Sequence, residues 1–440
     1  MTAGSPTKLM ILFAIPLLLG AVFDLMYSLA DAIVLGRFVS AEALASVGAA
    51  TSTTGMIIMI GHGLTISVSI LVSQAWGAKD EARLRRTMGH AFGLCALVSL
   101  CLGALSVCLA RPLMLLLRTP ENIIDGSVLY IQILCGAGIA RMFYNTSAAV
   151  LRSIGDSRTP LVFLIVCSVL NIVLDVLFVA VFGMAIAGVA WATIVSQAIS
   201  AALCCAYMWK KYPELRFGMA QLRFDRALAW DFGRIALPTA AREMMLTGGQ
   251  MVISAVVNSF GSDVVAAYTV GGKVEQIAII LLSQVECAFA IYVGQNYGAK
   301  RFDRIELGRK RALMLSGSLT ALSMAVLFAF GRPFALMFVN AEETQVLAAA
   351  VKMIRIEAAF LPAFSVICLY NSMLKSMGIV MPTLVSSMTE LFSKVGFAIL
   401  LDALLGYTGV WFASPLGWVL GFMVSAGYYH FANWKKKAFT

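Results

Sequence analysis

Several carboxyl, amide and hydroxyl side chains lie inside long apolar segments of this sequence, where polar groups are costly. Asp24 and Asp31 are seven residues apart in the first such segment, and Asn171 and Asp175 are four apart in a later one. On an α-helix both spacings bring the two side chains to one face. Thr193 adds a hydroxyl group in the apolar segment that follows. These residues are the first candidates for chemistry.

The chemistry open to these groups is the binding of a cation. A carboxylate at the centre of a bilayer costs about 2.5–3.5 kcal/mol on insertion scales, so it usually faces a cavity and marks the path of an ion or substrate. Carboxylate, amide and hydroxyl oxygens are ligands for a hard cation, and a desolvated carboxylate readily takes up a proton. Either chemistry would serve ion coupling. The alternative interpretation is that these groups only hydrogen-bond helices together.

The elements that must position these groups are membrane spans. The chain is 60% hydrophobic and 13% charged, with a mean hydropathy of +0.87, far from the average of soluble proteins. Apolar stretches of about 20 residues recur along it, and their continuous rather than alternating character disfavours a barrel. We predict an all-α polytopic membrane protein with twelve transmembrane helices, near residues 9–35, 46–75, 88–110, 125–149, 160–182, 184–209, 234–260, 264–296, 310–331, 345–373, 380–402 and 408–433.

The two halves of the chain repeat each other. Residues 74–79 return as 295–300, and residues 151–155 return as 374–378, at an offset of 221 to 223 residues. We predict an N-terminal six-helix lobe (1–209), a cytoplasmic linker (210–233) and a C-terminal six-helix lobe (234–440). Two repeated membrane halves imply a site between them that is exposed to each side in turn. That is the architecture of a transporter.

The net charge of +10 is explained by its placement. The basic residues concentrate in segments that alternate to one side: Lys8, 79–86, 152–158, 210–234, 300–311, Lys375 and Lys435–437; the opposite loops hold only Arg37, Arg111, Arg118 and Arg332. This asymmetry predicts a multi-pass protein of the plasma (inner) membrane with both termini in the cytoplasm. The apolar run after Lys8 is predicted to be the first span rather than a cleaved signal peptide. No nucleic-acid partner is expected.

Absent motifs narrow the function to transport. The sequence has no G-x-x-x-x-G-K-[ST] phosphate loop, no H-E-x-x-H and no G-x-S-x-G, and its nine cysteines include no C-x-x-C pair. We therefore expect no enzyme activity and no cofactor. Transport driven by an ion gradient is what remains.

The chain resembles the multidrug and toxic compound extrusion (MATE) family, of the bacterial type, over essentially all twelve spans. No single motif is specific, but their order and spacing are typical of the family. The residues that carry the resemblance are Pro16, 27–31 with Gly36, 72–79 with its repeat at 293–300, 151–156 with Pro160, Asn171 with Asp175, and 188–193.

The resemblance implies two six-helix lobes in a V, related by a pseudo-two-fold axis along the membrane normal. It also implies export of amphipathic, usually cationic compounds driven by H⁺ or Na⁺. In members with this first-lobe pattern the aspartates of the first and fifth spans form the coupling-ion site. Those roles fall here on Asp31 and Asp175, with Asn171 and Thr193, and the only metal expected is Na⁺ at the two aspartates. Tyr130 is a fifth candidate.

The second lobe departs from the best-known family pattern. It carries Glu275 and Glu357 within spans, and Glu390 with Lys394 at i, i+4. The last two either neutralise each other structurally or belong to a substrate-facing or second coupling site. Asp24 also departs from the pattern, because the family resemblance implies a neutral polar residue there. The predicted substrate-cavity residues are Asp24, Tyr130, Glu275, Glu390 and Lys394.

The prediction is a secondary active antiporter that exports a small amphipathic substrate in exchange for H⁺ or Na⁺ by alternating access. We expect a monomer whose partners are that substrate and membrane lipid. The main alternative is a flippase or exporter of a lipid-linked or narrow-specificity metabolite on a related two-lobed fold. A pyrophosphate-bearing lipid would require a basic cavity, whereas the first lobe here is acidic. The natural substrate and the coupling ion stay open.

Overall fold

The computed structural model describes residues 1–432, and this part of the chain is built from α-helices without β-strands. Its thirteen α-helices are α1 (Pro6–Phe38), α2 (Ala41–Ala78), α3 (Glu81–Leu116), α4 (Glu121–Gly136), α5 (Ile139–Ser153), α6 (Arg158–Asp175), α7 (Ala185–Lys211), α8 (Arg226–Asn258), α9 (Ser262–Gly298), α10 (Phe302–Leu336), α11 (Thr344–Ser376), α12 (Met381–Leu405) and α13 (Tyr407–Phe431). The basic residues at 435–437 lie outside the described part.

The twelve predicted spans correspond to these helices, and the fold-class prediction is confirmed. Among the described residues, ten helices are long and apolar enough to cross a membrane, and an eleventh span is formed by α4 and α5 together. These two helices meet at a bend of 48°, next to Gly136 and Gly138. The twelfth span is α8, which is less apolar because it carries Arg242 and Glu243 inside the helix.

The segment between α7 and α8 is shorter than the sequence indicates. α7 continues to Lys211 and α8 already begins at Arg226, because the side chain of Asp225 accepts a hydrogen bond from the backbone N–H of Ala227 at 2.9 Å and caps the helix. The connecting residues form two short 3₁₀ helices and pack on α3. There the backbone N–H of Asp225 donates to Nε2 of His90 at 2.7 Å.

The described helices group into two units. The N-terminal unit is Ile15–Ala240, and the C-terminal unit is Met1–Ala14 together with the chain from Ala241 onward. In the N-terminal unit, α4 packs against α2, α3 and α7 around an apolar cluster that includes Ile131 and Met114. In the C-terminal unit, α11 packs against α9, α10 and α13 around residues such as Leu361, while Trp411 is buried in a second cluster.

The repeat in the sequence is also a repeat of helix ends. α2 and α9 both stop at a lysine in the left-handed conformation, Lys79 at φ 54° and Lys300 at φ 56°. α5 and α11 both stop before a glycine with positive φ, Gly155 at 101° and Gly378 at 80°. In each case the backbone N–H groups turn back onto the last helical carbonyls, as in a helix-ending motif with a left-handed residue. The repeated motifs therefore encode the points where spans end.

Candidate ion-coupling site

Three helices of the N-terminal unit bring the predicted coupling residues together. α1 supplies Asp31, α6 supplies Asn171 and Asp175, and α7 supplies Thr193. The side chains of Asn171 and Asp175 are fully buried and that of Thr193 nearly so. Residues 140 or more positions apart in the chain thus form one polar cluster inside an apolar unit.

Asn171 is the centre of this cluster. In the amide orientation that satisfies its neighbours, its nitrogen donates to Oδ1 of Asp31 at 3.0 Å and to Oδ2 of Asp175 at 3.3 Å. Its oxygen accepts from the backbone N–H of Thr193 at 3.3 Å. One amide therefore holds two carboxyl groups and joins α1, α6 and α7.

Tyr27 provides a second link between α1 and α7. Its hydroxyl donates to Oγ1 of Thr193 at 3.2 Å, and that hydroxyl in turn donates to the carbonyl of Val189 at 3.0 Å. Tyr27 lies one helical turn before Asp31, so both side chains reach the same side of α1. These bonds join α1 to α7 one helical turn from the acid pair.

The two carboxyl groups, Asp31 and Asp175, lie close together without a bonded cation in the described chain. They are within hydrogen-bonding reach of each other, and within residues 1–432 neither forms an ion pair with a lysine or arginine. Oδ1 of Asp175 is buried and has no hydrogen-bond partner there. Two adjacent carboxylates repel each other unless a proton or a metal cation is shared between them. A proton or Na⁺ shared between Asp31 and Asp175 would remove this repulsion, whereas the Asn171 oxygen faces the backbone of Thr193.

The helix that carries Asp175 changes its winding at that residue. α6 ends at Asp175 and continues as a six-residue π-helix, Val176–Val181. Wider π turns occur frequently at functional sites because they displace side chains from regular helical positions. Here the change leaves Asn171 and Asp175 on one face of the α-helical part and turns the chain toward α7.

Arg141 is a neighbour of the site that the sequence analysis missed. It lies at the start of α5, just after the bend between α4 and α5, and its Nε donates to Oε1 of Gln197 at 3.2 Å. Its charge acts on Asp31 and on Asp24 without an ion pair to either in the described chain. The available signal was an arginine inside the apolar segment 125–149, which is as unusual as the aspartates.

The other two candidates of this unit, Tyr130 and Asp24, lie outside the hydrogen-bonded cluster of Asp31, Asn171 and Asp175. Tyr130 is buried on α4 and close enough to act electrostatically on Asp31 and Asp175, although no hydrogen bond connects it to them within residues 1–432. Asp24 is exposed on α1, two turns before Asp31. It lies outside the hydrogen-bonded cluster.

The C-terminal unit contains a polar cavity of about 550 Å³. Two glutamates and two lysines line it, Glu275, Glu357, Lys273 and Lys394, together with Gln250, Tyr268 and Trp418. The carboxyl groups of Glu275 and Glu357 are within hydrogen-bonding reach of each other. Glu357 is only 4% exposed, and its Oε2 has no partner in the described residues.

Lys394 and Glu390 do not pair in the part of the chain that the structure describes. Nζ of Lys394 donates to Oε1 of Gln250 at 3.0 Å instead, and Glu390 lies outside the cavity. Gly417 of α13 packs against the carbonyl oxygen and Cγ of Glu390 and also against Cβ of Lys394. Of the predicted cavity residues in this unit, Glu275 and Lys394 lie in one cavity and Glu390 does not.

The fold and this site define a class of protein, a duplicated multi-pass membrane transporter with buried acid pairs. The sequence matches the MatE family model over residues 16–177 and 238–400, and the chain belongs to that family. The resemblance seen in the sequence is confirmed.

Similar proteins cover between three quarters and nearly all of the chain. A probable multidrug resistance protein of Bacillus subtilis is 28% identical over 98% of this chain and 95% of its own length. A FAD transporter of Shewanella oneidensis is 25% identical over 75% of this chain and 74% of its own. The crystal structure of a MATE protein in the bent conformation has a TM-score of 0.91 at 22% identity, covering 99% of this chain and 98% of that one.

Proposed function

We propose that the protein is a secondary active antiporter that exports small amphipathic, cationic compounds in exchange for H⁺ or Na⁺. The observation that carries the proposal is the buried pair of Asp31 and Asp175, which share one amide and have no basic ion-pair partner within residues 1–432. The Bacillus subtilis relative is named a probable multidrug resistance protein, which supports export of drugs as the proposed function. Both termini are proposed to lie in the cytoplasm of a bacterial plasma membrane, and the working unit is proposed to be a monomer.

The proposed mechanism is mutual exclusion between ion and substrate during alternating access. A cation bound at Asp31 and Asp175 cancels their repulsion and shortens the contacts among α1, α6 and α7. Tyr27 and Thr193 transmit that change along α1, in which Pro16 interrupts the helical hydrogen bonds. Release of the ion restores the charge and favours the substrate-bound state. This is a negative coupling free energy between the two sites.

Ethidium efflux tests this function directly. The chain is expressed in an efflux-deficient bacterium, and pH and sodium gradients are imposed separately on loaded cells or inverted vesicles. Efflux that follows one of the two gradients is expected, and it identifies the coupling ion. Efflux that follows neither gradient, from protein shown to be present in the membrane, would contradict the antiporter.

The cavity of the C-terminal unit is the proposed contact for the cationic part of the substrate. Lys394 is held by Gln250 and leaves the Glu275–Glu357 pair without a bonded counter-ion in the described chain. Tyr268 and Trp418 provide aromatic faces in the same cavity. A cation with an apolar body matches carboxylates next to aromatic rings.

We expect Glu357→Gln to raise the KM for ethidium about tenfold, because a hydrogen bond to a charged group is worth roughly 1.5–3 kcal/mol. Initial efflux rates over a range of ethidium concentrations measure this effect. Glu343→Gln, an exposed change just before α11, is the matched control and should leave KM unchanged. If Glu357→Gln left KM unaltered, the proposal that this cavity contacts the substrate would be wrong.

Export of a narrow-specificity metabolite is the second candidate. It is favoured by the FAD transporter among the relatives. It is also favoured by three basic residues near the acid clusters, Arg141, Lys273 and Lys394, which suit a substrate that also carries negative charge. Inhibition of ethidium efflux by an excess of FAD, but not by riboflavin, would favour this candidate over a general drug exporter.

A further inference from the structure

The C-terminal unit has a second cleft, of about 620 Å³, whose charged lining differs from that of the cavity with Glu275 and Glu357. Its floor is apolar, with Leu347, Ile356 and Phe412, and its polar lining includes three basic residues, Arg332, Lys352 and Arg355. α10 contributes Arg332 near its end, α11 contributes a stripe of residues, and α13 contributes Phe412. No carboxylate lines the cleft.

The three cations are not neutralised by the protein within residues 1–432. None of them forms an ion pair there, and all three side chains are exposed. Nζ of Lys352 donates to the hydroxyl of Thr408 at 3.1 Å, which positions the ammonium group without cancelling its charge. Glu342 and Glu343 precede α11 in the chain but are not among the lining residues.

The position of Lys352 and Arg355 along the membrane-spanning helix α11 indicates what neutralises their charges. Thr344, the first residue of α11, lies at one end of the cleft, and Arg355 lies about 16 Å further along the helix at 1.5 Å per residue. Thr344, Ala348, Lys352 and Arg355 share one stripe of the helix. An arginine inside an apolar stretch of a membrane-spanning helix is stabilised by an anion or water beside it, and the apolar floor of the cleft suits a hydrocarbon chain rather than water.

We propose that this cleft, defined by Arg332, Lys352, Arg355 and Phe412, binds an anionic phospholipid. The phosphate contacts the guanidinium groups and the ammonium group, for which bidentate arginine–phosphate bonding is the strongest arrangement. One acyl chain lies along Leu347, Ile356 and Phe412. Basic pockets between transmembrane helices bind acidic lipid headgroups. Because Arg332, near the end of α10, is predicted to lie outside the cytoplasm, the lipid is one of the outer leaflet, and the site shares no lining residue with the cavity of Glu275 and Glu357.

Lipid titration of the purified full-length protein tests the proposal. Short-chain phosphatidylglycerol is added to detergent-solubilised protein, and the shift in Tm is measured against phosphatidylcholine with the same chains and against inorganic phosphate. We expect phosphatidylglycerol alone to raise Tm in a saturable manner. Equal shifts with phosphatidylcholine, or an equal shift with inorganic phosphate, would overturn a phospholipid site.

Variants assign the effect to the cleft. In Lys352→Gln combined with Arg355→Gln, the phosphatidylglycerol concentration for half the shift should rise about tenfold or more, because two charge-assisted contacts are removed. Arg355→Lys retains the charge and should show an intermediate value, so it keeps the test valid if the double variant folds poorly. Lys310→Gln removes an exposed charge elsewhere on α10 and should bind as the wild type does. Wild-type binding by the double variant would overturn the assignment.

Discussion

Asp175→Asn is expected to reduce ion-driven efflux at least about tenfold while the protein still inserts and folds. The substitution keeps the size of the side chain, and its carbonyl oxygen can still accept the 3.3 Å hydrogen bond from Asn171. It removes the negative charge that a proton or Na⁺ neutralises. Coupling between two sites typically changes affinity about 5- to 150-fold, so the ion-driven component should fall by about tenfold or more. Ethidium efflux under an imposed gradient measures it.

The matched control for this prediction is Asp263→Asn, the same chemical change at an exposed position in the first turn of α9. It should export at the wild-type rate. Asp31→Asn should lose ion-driven efflux as Asp175→Asn does, because both carboxyl groups bond to the same amide. If both variants were expressed in the membrane and exported normally, the acid pair would not be the coupling site.

Gly409→Ala is expected to destabilise the C-terminal unit strongly. A Cβ at this position would lie 2.1 Å from the carbonyl oxygen of Leu401 and 2.4 Å from its carbonyl carbon. Both atoms belong to the backbone at the end of α12, so no side-chain movement relieves the contact. Overpacking costs about 1–3 kcal/mol and occasionally more, and a backbone contact this close should reach at least the upper end. Thermal unfolding in detergent measures it.

Gly427→Ala is the control on the same helix, since no atom lies within 4 Å of its added Cβ. This variant should be as stable as the wild type or slightly more stable, because alanine favours the helix over glycine by up to about 1 kcal/mol. Equal stability of Gly409→Ala and the wild type would mean that the turn at Gly406 opens without cost. The close packing of α12 and α13 would then not depend on Gly409.

The membrane fold was predictable from the sequence because its causes are local. Continuous apolar runs must form helices inside a bilayer, because backbone groups have no water there with which to form hydrogen bonds. The twelve apolar runs therefore predicted the positions of the twelve spans. The repeat of residues 74–79 at 295–300 could be recognised in the sequence. That both copies end a helix follows from the left-handed conformation of Lys79 and Lys300. Helix ends such as the start of α8 were less certain, because a single cap at Asp225 decided them.

The residues of the acid pair could also be predicted from the sequence, since a charged residue in an apolar run is rare enough to be noticed. The contacts between these residues could not be predicted. Spacing placed Asn171 beside Asp175 on one helix, but only the packing of α1 and α7 against α6 brings Asp31 and Thr193 to the same amide. Arg141 was passed over, because its proximity to Asp24 and Asp31 depends on the bend between α4 and α5.

The sequence by itself determined the number and type of the elements, the duplication and the identity of the costly polar groups. The tertiary structure alone decided which of those groups meet. The i, i+4 rule favoured a pair between Glu390 and Lys394, yet Lys394 bonds to Gln250 of α8. Hydrophobicity and helical periodicity act along the chain, whereas partners for buried charges are chosen by helix packing between residues far apart in sequence.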